Sequence, residues 1–125
     1  DVLDQFDTRR LGIIDPEGIY RDPATGSLIL TSADPTRLYE VSTAGALVRT
    51  FDVSAANAIK LAGVVMAPSS TAAGVTDFYL VDRAVDNNAD PRENDGRLYE
   101  FTRDKSTLPT PIPSPTAAPT AAPSR

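Results

Sequence analysis

The residues best able to do chemistry lie in one insertion, 83–96, which reads RAVDNNADPRENDG. Asp86, Asn88 and Asp90 have the D-x-N-x-D spacing with which many calcium loops begin. Alternate oxygens on a tight loop can converge on one hard cation at about 2.4 Å. Asp82, Glu93 and Asp95 stand close enough in sequence to add carboxylates, so the candidate calcium set is Asp82, Asp86, Asn88, Asp90, Glu93 and Asp95. The match to an EF-hand is incomplete. Pro91 follows Asp90 where that loop needs glycine, and Arg97 stands where it needs glutamate. Asn and Asp are also the ordinary residues of solvated turns, so the insertion reads either as a calcium site or as a turn-rich loop. Bound calcium would tie down a segment whose ordering is otherwise entropically costly. No cofactor other than calcium is expected.

Much other chemistry is excluded by composition. The chain has no histidine and no cysteine. Zinc sites of the Cys/His kind, cysteine nucleophiles and Ser-His-Asp triads therefore cannot be built. The Ser and Thr hydroxyls lack a histidine to activate them, and no disulfide framework holds the fold. Net charge is -5, and the 12 Lys and Arg residues are scattered rather than clustered. Nucleic acid needs a concentrated positive footprint, so it is not an expected partner. No stretch approaches the roughly 18 apolar residues of a membrane-spanning helix.

The elements that must position these residues come from an internal repeat. VLDQFDT (2–8) is matched 45 residues later by LVRTFDV (47–53), with Phe6-Asp7 on Phe51-Asp52. The same offset carries Glu17-Gly18-Ile19 onto Ala62-Gly63-Val64 and Pro23 onto Pro68. After extra residues around 69–75, SLILTS (27–32) matches DFYLVD (77–82), and after a further insertion beyond Asp82, RLYEV (37–41) matches RLYEF (97–101). Each copy reads as short strands between turns. In the first copy they are 18–21, 28–32, 37–42 and 46–51, separated by DPATG, ADPT and TAG turn signals. In the third strand Leu38 and Glu40 share one face, Tyr39 and Val41 the other. Residues 54–60 suit one helical turn. Four short strands in about 45 residues is the pattern of a β-propeller blade.

The block DPEGIYRDPATGSLILTS, followed by RLYEVSTAGALVRTFDV, resembles bacterial extracellular β-propellers with D-P-E-G-I repeats. These include the SdiA-regulated and esterase-like phytase groups and are similar in layout to NHL-type propellers. The resemblance covers residues 1–101. It implies an all-β fold of two four-stranded antiparallel blades over residues 1–106, with repeat A about 2–45 and repeat B about 47–102. It implies an extracellular or cell-surface bacterial protein. It also implies that Glu17, with Asp15 beside it, lines a central channel; a turn and strand-start role for the pair is the plainer alternative. The second copy departs from the motif, with Leu61-Ala62-Gly63 in place of Pro16-Glu17-Gly18, which weakens any inherited catalysis. Tyr39 and Tyr99 are expected to pack between blades, and Glu40 and Glu100 to form cross-strand pairs.

The chain opens on a fourth strand, Val2–Phe6, and closes on strands one to three of a second blade. Two blades cannot close a ring, since propellers have about 4–8. The missing blades are expected either from the same, longer chain or from identical subunits assembled as a ring or filament. Residues 107–125 end in PTPIPSPTAAPTAAPSR, a sequence favouring extended polyproline II and typical of surface spacers. Thr110, Ser114, Thr116 and Thr120 are its candidate O-glycosylation sites. The functional expectation is a structural or interaction module built from propeller blades. The alternative is a fragment of a calcium-dependent propeller hydrolase of phytase-like or lactonase-like kind.

Overall fold

A computed structural model describes residues 1–84 and 96–103 and the backbone of 106–107. They form two antiparallel sheets. The first contains β1 (Pro16–Arg21), β2 (Leu28–Ala33), β3 (Thr36–Val41) and β4 (Leu47–Asp52); the second contains β5 (Leu61–Pro68), β6 (Thr76–Asp82) and β7 (Arg97–Phe101). A short β8 (Ser106–Thr107) returns to pair with β4, so the first sheet runs β1-β2-β3-β4-β8 and the second β5-β6-β7. The described residues include no α-helix, only 3₁₀ turns at Thr8–Leu11 and Ser54–Ala56.

Local chemistry accounts for the turns. Between β1 and β2, the Asp22 N–H donates to the Ser27 carbonyl at 2.9 Å and the Gly26 N–H to the Asp22 carbonyl at 2.8 Å. The Asp22 carboxylate accepts from the Ala24 N–H at 2.9 Å, closing an Asx turn. Each 3₁₀ turn follows an aspartate whose Oδ1 accepts a backbone N–H two residues on: Asp7 from Arg9 and Asp52 from Ser54, both at 2.9 Å. Each ends in a left-handed residue, Gly12 or Asn57, types that adopt this conformation at little cost.

The two sheets share their register. β1 on β2 slips between Pro16 and Gly18, and β5 on β6 slips between Leu61 and Gly63, positions 45 apart. Ile19 then faces Leu30 and Tyr39 across the first sheet, as Val64 faces Leu80 and Tyr99 across the second.

One apolar core lies between the sheets. Ile29, Leu38, Phe51 and Val53 meet Leu61, Val64, Phe78 and Leu80 there. Phe51 and Phe78 contact edge-to-face with centroids 4.7 Å apart, a favoured aromatic geometry. A smaller cluster on the opposite face of the first sheet joins Ile13 to Leu30, Tyr39 and Val41. β3 is therefore buried on both faces, which explains its four consecutive buried residues, Leu38 to Val41.

Several expectations are corrected. The fold is all-β: among the described residues the second sheet has β5–β7, the three strands expected of it within the chain, and the first has its expected four together with β8, which was not expected. Val2–Phe6 forms no strand. Val2 and Leu3 stand exposed, so the segment buries too little apolar surface on its own chain to offset the entropy of ordering it as a strand. Tyr99 packs against the core between the sheets, whereas Tyr39 packs beneath Ile13. Glu40 makes its cross-strand pair with Arg49 at 2.9 Å. Glu100 instead accepts from Ser70 in the β5–β6 hairpin loop.

Candidate interaction site

Of the six residues read as a calcium set, Asp82 alone lies among the described residues; Asp86, Asn88, Asp90, Glu93 and Asp95 lie outside them, as do Thr110, Ser114, Thr116 and Thr120. Asp82 is buried at the end of β6. Its carboxylate accepts the N–H groups of Ile59, Lys60 and Ala84 at 2.9, 2.8 and 2.9 Å. Burial pushes the Asp82 carboxyl up, but those three N–H groups and the Arg97 charge outweigh it and hold it below the usual range. Asp82 thus fastens the connector between the sheets to the end of β6. Among the described residues, no three metal-ligating side chains of the His, Cys, Asp and Glu types gather together.

Asp15 and Glu17 flank the start of β1. The Asp15 carbonyl accepts from the Ala33 N–H at 3.1 Å, closing the end of the β1–β2 ladder. Glu17 pairs with Arg83, just past β6, at 3.0 Å. It bridges the two sheets as one half of an ion pair. A cleft of about 230 Å³ opens at the other end of the interface, beside Tyr20, Met66 and Thr76. Arg103 lies at its edge, 5.7 Å from the centre of the Phe78 ring and 3.6 Å from the buried Asp22 carboxylate.

The more informative geometry is the outer face of the second sheet. Strand alternation puts Val65, Tyr79, Val81, Leu98 and Glu100 on the side away from the core. Val65, Val81 and Leu98 form an exposed apolar patch there. Glu100 closes one edge, held by the N–H and hydroxyl of Ser70. Those bonds lower the Glu100 carboxyl below its ordinary value, while burial and the Glu100 carboxylate raise the Tyr79 phenol. At the matching positions of the first sheet, Ile29, Thr31 and Leu38 are wholly buried by the second sheet. Leu38 is 0% exposed and Leu98 67%, although each is the second residue of an RLYE block.

The glycines show the same asymmetry. A Cβ on Gly18 would lie 2.7 Å from the Ala62 carbonyl oxygen and 2.9 Å from the Gly63 Cα, so β1 and β5 approach backbone to backbone. A Cβ on Gly63 would meet nothing within 4 Å. The reverse holds on the other faces, where Val64 is 6% exposed against the first sheet and Ile19 is 62% exposed. The sheets therefore stack with unlike faces in contact, leaving one face of each kind partly open.

This patch is absent from the residues singled out by type, because Val, Leu and Gly carry no reactive group. The signal that could find it is the pairing of Gly18 with Gly63 and Leu38 with Leu98 across the two sequence blocks. Comparison with protein-family models, with curated proteins and with solved structures found no match. No helix among the described residues is long and apolar enough to cross a membrane.

Proposed function

We propose that this chain is an extracellular structural or interaction module whose sheets are blades of β-propeller type, stacking through apolar faces rather than catalysing a reaction. One observation carries this reading: the face by which the first sheet holds the second recurs on the second sheet and is open there. An apolar sheet face rimmed by polar groups marks a docking surface. Carriage on the polyproline spacer and calcium held by Asp86, Asn88 and Asp90 belong to the same proposal and rest on sequence alone; calcium titration calorimetry tests the latter.

The direct test uses an environment-sensitive apolar dye at dilute protein. The intact chain binds it with enhanced fluorescence, and Leu98→Asp, which changes an exposed residue, removes most of that signal while keeping the far-UV circular dichroism. No dye binding by the intact chain would overturn the reading. The hydrolase alternative takes its channel carboxylates mostly from further blades; the one this chain would add, Glu17, is paired with Arg83. The calcium-supplemented chain is expected to release no phosphate from phosphate monoesters and no acid from lactones.

A further inference from the structure

We infer that copies of this chain dock head to tail, one copy supplying Val2–Phe6 as the strand beside β7 of the next and laying its Ile19 face over Val65, Val81 and Leu98. The inference rests on the stacking-blade reading above and adds the occupant and its register. Three observations lead to it. The first is the open face itself, whose counterpart in the first sheet is filled by a sheet of the same register.

The second observation is the edge of β7. In the first sheet β4 pairs with β3, setting Asp52 opposite Arg37, Phe51 opposite Leu38 and Thr50 opposite Tyr39. Among the described residues nothing takes that position beside β7. The sequence of β4 has its match in Val2–Asp7, 45 residues earlier. Placed beside β7 in the same register, Asp7 stands opposite Arg97, Phe6 opposite Leu98 and Gln5 opposite Tyr99. The Asp–Arg pair is retained. Phe6 takes the place of Phe51, which is buried against Phe78. In the isolated chain Phe6 rests on the Gly45 turn, half exposed.

The third observation is where that segment sits. Ile13 anchors it on the face of the first sheet opposite the second sheet, against Leu30, Tyr39 and Val41. The chain's own β7 belongs to the sheet stacked about 10 Å away on the other face, so the first sheet stands between it and Ile13. A second copy has no such obstacle. Gly63 of one copy would then receive the β1 backbone of the next, as Gly18 receives β5 within the chain. Such a contact joins unlike surfaces, so it propagates unless the rotation closes a ring.

The test is sedimentation velocity of the intact chain over a range of concentrations, with two variants and one cross-link. The intact chain shows species growing beyond the dimer as concentration rises. Gly63→Ala and Leu98→Asp keep the parent's melting temperature at dilute protein, yet associate about tenfold or more weakly, the size of one misfitted contact. The native chain has no cysteine, so a mixture of Phe6→Cys and Leu98→Cys forms an intermolecular disulfide on mild oxidation, while Leu3→Cys with Leu98→Cys does not. An intact chain that stays monomeric throughout, or a Gly63→Ala variant that associates like the parent, overturns the inference. If the monomeric chain still binds the dye at Leu98, the docking face stands and only the second copy as occupant fails; if it binds none, both fail.

Discussion

At the scale of single residues, the strongest constraints are a carboxylate and a glycine. Asp82 collects three backbone N–H groups in a buried site. Replacing it with alanine leaves those donors without their acceptor and is expected to cost about 3 kcal/mol in urea unfolding. Its folded pKa lies below the ordinary value, which is about 3.9 for aspartate. Its contribution is therefore fully present above that value and is lost as pH falls through the lower, folded one. Melting temperature should drop steeply below about pH 4 in the parent and less steeply in Asp82→Asn. Gly18 is constrained by distance: Gly18→Ala drives a Cβ into the Ala62 carbonyl and should cost about 1–3 kcal/mol. Gly63→Ala should change the dilute chain by less than about 0.5 kcal/mol. The contrast between two glycines in matching positions measures which face is occupied.

At the scale of elements, β6 is central to its sheet and supplies Phe78 and Leu80 to the shared core. Phe78→Ala removes the ring that meets Phe51 and is expected to cost about 3–5 kcal/mol, read as a lower urea midpoint. Most elements are legible in the sequence, because Pro, Gly and Asp turn signals bracket apolar runs at 28–32, 37–42 and 77–82, each within a residue or two of an observed strand. The 3₁₀ turn at Ser54–Ala56 is legible for the same local reason. Partnership is not legible. Val2–Phe6 has the same kind of sequence as β4 but joins neither sheet among the described residues, and Ser106–Thr107, at the mouth of the proline-rich stretch, pairs with β4. In sequence Asp82 groups with the acidic insertion, whereas two of its donors lie 22 and 23 residues upstream. Glu40 and Glu100 occupy identical blocks yet diverge, because only the first faces an arginine across the ladder.

For the whole molecule, the stacking of unlike faces gives the chain a direction. Ile19 marks one end and Leu98 the other. A variant lacking residues 1–6 keeps its Leu98 face but cannot donate a strand, so a small excess should shorten assemblies of the intact chain, seen as a falling sedimentation coefficient. β8 adds a restriction of a different kind. A bare β4 would present a row of unpaired backbone groups to any passing strand, the route to sideways sheet extension and amyloid-like aggregation. Ser106–Thr107 occupies part of that row. The chain thus carries its own guard on that edge of the first sheet, so a foreign strand must displace Ser106–Thr107 before it can extend the sheet there.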